Sequence, residues 1–148
     1  MAEEVGAALA GAGAVVVCGG LGGIMAAACR GAKSAGGLTV GILPGTDPSA
    51  ANEWVDVVLA TGLGEARNAL VVGAAAAVIA IGGEYGTLSE IALALRAGTP
   101  VVGLGTWDLT RPDRQLDRGI QVVAQPRQAV TTALSLASAR GGAPKGPA

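Results

Sequence analysis

The feature that most constrains the fold is a strand, glycine-rich loop and helix arrangement that occurs twice along the chain. Residues 14–18 (AVVVC) form a continuous apolar run that leads directly into the glycine-rich segment 19–23. Residues 76–81 (AAVIAI) form a second such run, followed by the glycine-rich segment 82–86. Short apolar runs without alternation are typical of strands buried on both faces, as in a parallel sheet covered by helices. We therefore predict an α/β fold.

The rest of the chain continues the alternation of strands and helices. The predicted strands are 14–18, 38–43, 55–59, 76–81, 100–104 and 120–123, and the predicted helices are 2–12, 24–35, 64–73, 87–97 and 126–140. This order predicts right-handed crossovers and a Rossmann-like three-layer sandwich with a mostly parallel sheet. Because a helix comes before any strand, we expect the usual first strand to be missing. We predict one domain over residues 1–140 and a disordered tail over 141–148.

Composition excludes several classes of function. The net charge is −1 with no basic stripe, which argues against nucleic-acid binding. The chain contains no His, so catalysis by Ser-His-Asp or Cys-His groups is excluded. Cys18 and Cys29 do not have metal-ligand spacing, and we predict that both are reduced and buried and that there is no metal site. The acidic N-terminus and the short apolar run 69–83 predict neither a signal peptide nor a membrane span, so we expect a cytoplasmic protein.

The first loop holds four glycines in five residues, Gly19, Gly20, Gly22 and Gly23. Glycines between a strand and a helix allow a ligand to approach the backbone closely, and the helix start offers free N–H groups to an anion. A tight turn that only packs helix on strand is the structural alternative. We favour phosphate binding because so many glycines exceed what a turn needs.

The second loop carries Gly82, Gly83, Gly86 and Thr87, and Glu90 follows on the helix. The Thr87 hydroxyl can cap the helix or donate to a phosphate. Glu90 lies three residues after Thr87, so one interpretation is a capping box. The alternative places Glu90 in the cleft as an acid/base group or a partner of a ribose hydroxyl. Ligands bind at the carboxyl ends of strands in open α/β sheets, so both loops point to one crevice.

A third candidate element contains Arg67 and Asn68 at the start of a mostly apolar helix. An arginine beside two phosphate loops is suited to hold an anion with two parallel hydrogen bonds, and Asn68 can orient the ligand. A plain surface arginine is the alternative. The loop 44–47 is a further segment that we expect to line the cleft.

These residues together resemble the LOG-like family, which includes cytokinin riboside 5′-monophosphate phosphoribohydrolases. Its hallmark, P-G-G-x-G-T-x-x-E, is matched in register from Gly82 to Glu90, with Gly82 in place of Pro and Glu84 in place of the second Gly. Arg67 stands where the family has an arginine, and Asn68 replaces its lysine. The strings CGGLGGIM, GILPG, TGLGEARN, IGGEYGTLSE and PVVGLG are most similar to the branch with molybdenum-cofactor carrier proteins. The resemblance covers about residues 1–135.

The resemblance implies three hypotheses. In a phosphoribohydrolase, which the retained Arg67 and Glu90 favour, these two residues would be catalytic and would split the N-glycosidic bond of an AMP-like nucleoside 5′-monophosphate. In a carrier, the same loops would hold molybdenum cofactor or a related pterin phosphate, and the replacements at Asn68 and Glu84 favour this alternative. The third hypothesis is a structural oligomer with a vestigial site. The resemblance also implies a homodimer or higher homo-oligomer, and no required cofactor.

Overall fold

A computed structural model describes residues 1–141, in an alternating arrangement of helices and strands. The helices are α1 (Ala2–Gly11), α2 (Ile24–Ser34), α3 (Asn68–Gly73), α4 (Tyr85–Arg96) and α5 (Pro126–Gly141), and the strands are β1 (Val16–Cys18), β2 (Thr39–Leu43), β3 (Val57–Ala60), β4 (Val78–Ile81), β5 (Val101–Leu104) and β6 (Ile120–Val123). The predicted α/β class is confirmed. Gly141 closes α5, and residues 142–148 of the predicted tail lie outside the described part of the chain.

The strands form two parallel sheets of three strands each, in the orders β1-β2-β3 and β4-β5-β6. We predicted one sheet, and within residues 1–141 no ladder joins β1 to β4. The ladder of β1 covers only Val16, Val17 and Cys18, all paired with β2. Apolar runs identify strands, but they do not specify whether β1 and β4 pair with each other.

The second sheet is covered on both faces, as a three-layer architecture requires. Every residue of β5 is buried. One face packs against α1 and α5 through Val5, Val130 and neighbouring alanines, and the other packs against α3 and α4 through Val72 and Ile91. The small side chains of these helices bring them close to the sheet.

Helix α1 packs so closely on α2 that their backbones are in contact at two glycines. A Cβ atom at Gly6 would collide with the carbonyl oxygen of Ala28, and one at Gly31 would collide with that of Glu3. The same α1 contributes Val5 to the core beneath β5. It therefore ties the first half of the molecule, where α2 follows β1, to the second half.

The predicted helix 64–73 is divided into two kinds of turn. Gly64–Arg67 is a 3₁₀ helix, and the α-helix α3 begins only at Asn68. The tighter 3₁₀ geometry changes the direction of Arg67 relative to the rest of the helix. Between α3 and α4 lies a groove whose lining includes Ala69, Val72 and Leu93. No helix among residues 1–141 is long and apolar enough to cross a bilayer.

Candidate functional site

The two glycine-rich loops lie against each other. Gly82 has φ of 69°, and a Cβ atom there would lie 3.0 Å from Cδ1 of Ile24, the first residue of α2. The loop after β4 therefore contacts the helix that follows the loop after β1. The expectation that both loops face one crevice agrees with this contact.

The first loop is braced by side chains from outside it. Asn52 donates from Nδ2 to the carbonyl oxygens of Gly20 (3.1 Å) and Leu21 (2.8 Å), and its backbone N–H also reaches the Gly20 oxygen. The Gly20 N–H donates to Sγ of Cys18 at 3.3 Å. Cys29 is buried as predicted, but Cys18 is only half-buried, because it ends β1 next to the loop. These contacts fix the loop backbone and leave the exposed Gly22 and Gly23 at its tip.

The second loop is open, and the helix that follows it has no side-chain cap. Glu84 is the N-cap residue of α4, and no side chain hydrogen-bonds to the free N–H groups there. The capping-box interpretation of Thr87 and Glu90 is therefore wrong, because Thr87 lies inside the first turn and not before it. An uncapped helix start presents unpaired donors and a positive dipole end.

Arg67 is the buried cation of the site. Its side chain is 7% exposed, and its guanidinium lies on the backbone of Gly19, where a Cβ atom would be 2.6 Å from Nη2. Glycine is therefore required at position 19 for the arginine to enter. Nη1 donates to Oδ1 of the buried Asn68 at 2.7 Å, whereas Nε has no hydrogen-bond partner. A buried donor without a partner lowers stability, so the arginine is held in this position at a cost to the fold.

Glu90 faces Arg67 from α4. Its Oε1 lies 3.6 Å from Nη1 of Arg67, and the carboxylate side chain is 27% exposed. Burial raises the pKa of Glu90 above its ordinary value, the Arg67 charge lowers it, and the Glu65 charge raises it. The net upward shift means that loss of water outweighs the attraction of the arginine.

An aromatic pair stands beside the second loop. The rings of Tyr85 and Trp107 are 5.9 Å apart between centroids, with an interplanar angle of 34°. Trp107 donates from Nε1 to the carbonyl oxygen of Glu84 at 3.4 Å and lies directly over Gly83. Tyr85 is 79% exposed, so its ring is free to contact a ligand.

Most residues predicted from sequence lie together. Arg67 contacts Gly19, Asn68 and Glu90. Gly82, Gly83, Gly86 and Thr87 lie in the loop and first turn that precede Glu90 on α4. The loop 44–47 instead supports the turn before Arg67, because the carbonyl oxygens of Pro44 and Gly45 accept from Gly64 and Gly62.

Sequence reasoning missed Asn52 and Trp107. Asn52 lies 32 residues after Gly20, and nothing in its local pattern links it to the loop. Trp107 offered a signal, since aromatic residues make up only 2% of this chain. In residues 1–141, no group of three or more His, Cys, Asp or Glu side chains is placed to hold a metal.

The family described as SLOG cluster4 matches residues 1–132. An uncharacterized protein of Archaeoglobus fulgidus is 42% identical over 135 residues, which covers 91% of this chain and 84% of the relative.

Two solved structures are similar over nearly the whole chain. The molybdenum cofactor binding protein of the phototrophic bacterium Rippkaea orientalis has a TM-score of 0.82 and 37% identity, covering 91% of this chain and 85% of that one. The molybdenum cofactor carrier protein of Chlamydomonas reinhardtii has a TM-score of 0.80 and 37% identity, covering 93% of this chain and 87% of that one.

Proposed function

This chain belongs to the SLOG cluster4 family, and on that premise we propose that it binds and carries a phosphate-bearing pterin, molybdenum cofactor or a close relative of it. The observation that carries the proposal is the buried guanidinium of Arg67, whose Nε lacks a partner beside two glycine-rich loops. Solved structures named for binding or carrying molybdenum cofactor share its fold at 37% identity.

The phosphate end of such a ligand fits the two helix starts. Neither α2, whose N-cap is Gly23, nor α4, whose N-cap is Glu84, has a side-chain cap. Both helices therefore offer N–H donors and a positive dipole end to a dianion. Arg67 adds the full positive charge that these partial charges lack, and a charge-assisted hydrogen bond is about twice as strong as a neutral one.

The heterocycle end fits the aromatic pair. Tyr85 and Trp107 stand next to the start of α4, so a ligand with its phosphate at that helix start can lay its ring against them. Offset stacking of aromatic rings contributes about 0.5–1.5 kcal/mol beyond the buried area. The site thus has one part for a dianion and one part for a flat ring.

Carrying the ligand requires no reaction, and Glu90 then needs only to tolerate a phosphate near Arg67. The Glu90 carboxyl is held towards Arg67, and burial raises its pKa. A phosphate on Arg67 would stand close to Glu90, which favours the neutral carboxyl there.

The test measures retention of ligand on the protein. Molybdenum cofactor released anaerobically from a molybdoenzyme is mixed with the protein and passed through a desalting column. Pterin in the protein fraction is then measured by fluorescence after oxidation. We expect stoichiometric retention by the wild type, and competition by excess AMP or inorganic phosphate only at much higher concentration.

The variant Arg67→Met should weaken retention about 10- to 100-fold, because it removes a charged donor worth about 1.5–3 kcal/mol. Arg30→Met is the matched control, since Arg30 of α2 pairs at the surface with Glu3 of α1, and it should retain ligand as the wild type does. Equal retention by both variants would contradict the proposal.

Hydrolysis of a nucleoside monophosphate is the second candidate, favoured by the 3.6 Å approach of Glu90 to Arg67. Incubation with AMP and chromatography of free adenine tests it. We expect no release above the rate in buffer. Release that Glu90→Gln abolishes would replace the carrier proposal with the hydrolase hypothesis.

A further inference from the structure

The two cysteines, which the proposed function does not use, are in contact with each other. Sγ of Cys18 lies 3.5 Å from Sγ of Cys29, although the residues are 11 apart in sequence. Cys18 is the last residue of β1, and Cys29 lies on the inner face of α2 with no exposed area. The pair therefore brackets the first glycine loop, with one sulfur on the strand before it and the other on the helix after it.

The surroundings of the two sulfurs differ in a way that assigns them different roles. Cys18 is half-buried, accepts the Gly20 N–H at 3.3 Å, and is near the Arg67 guanidinium that lies on Gly19. A donor and a cation both favour the thiolate, which is the nucleophilic form. Cys29 is closed off from solvent, but it is within reach of the Cys18 sulfur.

The titration of the pair agrees with this geometry. The hydrogen bond from the Cys29 thiol, then the Gly20 N–H and the Arg67 charge, lower the pKa of Cys18 to about 7, against the opposing effect of burial. The pKa of Cys29 is raised by its hydrogen bond to Cys18 and by burial. One thiolate near neutral pH therefore resides on Cys18.

We propose that Cys18 is a site of reversible oxidation by hydroperoxides, and that Cys29 resolves the product into an intramolecular disulfide across the first glycine loop. The Cys18 thiolate attacks one peroxide oxygen, so that an S–O bond forms, the O–O bond breaks, and the released hydroxide takes up a proton to become water. The Cys29 sulfur then attacks the Cys18 sulfur, losing its proton. The S–S bond forms, the S–O bond breaks, and a second water leaves. Two thiols supply two electrons to one hydrogen peroxide.

The disulfide would change the loop. Sulfur atoms 3.5 Å apart must approach to about 2.05 Å, so the Cys18 sulfur has to turn towards α2. This movement withdraws the acceptor of the Gly20 N–H. Oxidation therefore acts on the loop that lies beside Arg67, and it requires no ligand to occur.

The chain offers a direct chemical test. Its two methionines are Met1 and Met25, and Met25 lies between the two cysteines, so cyanogen bromide separates Cys18 from Cys29. The full-length protein is treated with a few equivalents of hydrogen peroxide, its remaining thiols are alkylated, and the digest is run with and without reductant. We expect the intact mass to fall by 2 Da and the two large fragments to remain joined until reductant is added. Fragments that separate without reductant, with both thiols alkylated, would overturn the proposal.

Two single variants assign the roles. In Cys29→Ala, peroxide should produce a Cys18 sulfenic acid that dimedone traps as a stable adduct. In Cys18→Ala, Cys29 should react at least about 10-fold more slowly with iodoacetamide than Cys18 does in the wild type, because a buried thiol lacks access. The alkylation rates of both thiols in the wild type give the same comparison where a variant is unstable. Faster labelling of Cys29 than of Cys18 would contradict the assigned roles.

Discussion

The two glycine-rich loops occupy equivalent positions after β1 and β4, yet different side-chain contacts hold them. The first is held by Asn52 and Cys18, and its Gly20 is packed on Gly41 of β2. The second is contacted by Trp107 at the Glu84 carbonyl, and the exposed ring of Tyr85 stands beside it. Both loops have exposed glycines, and neither following helix has a side-chain cap, so the loops differ in their bracing. The difference indicates a division of labour, in which the first loop supplies a fixed wall that seats Arg67 and the second supplies an accessible surface.

The largest expected effect comes from Gly20→Ala. Gly20 has φ of 74°, and an added Cβ would lie 3.1 Å from the Cα of Gly41. A left-handed conformation costs a non-glycine residue about 1–2 kcal/mol, and the tight contact adds to that cost. We expect the free energy of unfolding to fall by about 2–3 kcal/mol in urea titrations. Gly22→Ala is the control in the same loop, since no atom lies within 4 Å of its Cβ position, and it should be nearly neutral. Similar losses for both variants would show that the first loop is not fixed in this conformation.

Sequence patterns were sufficient for the elements but not for this difference between the loops. The apolar runs located all six strands to within about two residues of their observed ends. A strand buried on both faces needs apolar side chains at successive positions, so the local sequence is enough to identify it. The first loop is held in place by Asn52, which follows β2 in the sequence and reaches Gly20 only in the folded chain. The seating of Arg67 on Gly19 likewise depends on a 3₁₀ turn that the pattern of residues 64–73 did not distinguish from an α-helix.

The second effect in size is expected for Asn52→Ala. The side chain donates to two loop carbonyls and accepts the Trp54 N–H at 3.1 Å, and each such bond contributes about 0.5–1.5 kcal/mol. We expect a loss of about 2 kcal/mol in thermal or urea unfolding. Asn52→Asp keeps the acceptor for Trp54 but places a carboxylate against two carbonyl oxygens, so it should be at least as unstable as the alanine variant. Recovery of stability by Asp would contradict the bracing role.

Gly86→Ala should separate stability from binding in the second loop. Gly86 is the second residue of α4, and no atom lies within 4 Å of its Cβ position. Alanine in a helix is favoured over glycine by up to about 1 kcal/mol, so the melting temperature should hold or rise slightly. Pterin retention should fall, because the new methyl group stands at the uncapped helix start. Gly73→Ala at the end of α3, also without neighbours within 4 Å, should leave retention unchanged. Unchanged retention in Gly86→Ala would place the ligand elsewhere.

The smallest effect concerns pH. Burial raises the pKa of Glu90 in the folded protein above its ordinary value of 4.5, so the native state binds more protons than the unfolded chain does in that window. The stability that Glu90 contributes therefore falls as the pH rises from the ordinary pKa of a glutamate through the raised pKa of Glu90 in the folded protein. Glu90→Gln should remove this part of the pH dependence. Compared with the wild type, the free energy of unfolding of the variant should therefore be higher at pH 7 than at pH 4. Parallel stability curves for the two proteins between these pH values would contradict the shift.

The separation of the two sheets has a consequence for hydrogen exchange. Because no ladder joins β1 to β4 in residues 1–141, the ladder hydrogen bonds of the two sheets are separate, and the two halves are coupled through the packing of α1 on α2 and on β5. Amides of β2 and β5 should then report two distinct opening free energies in the empty protein. A dianion held by donors from both loops would couple the two halves further, and the two sets of amides would approach a common protection on saturation.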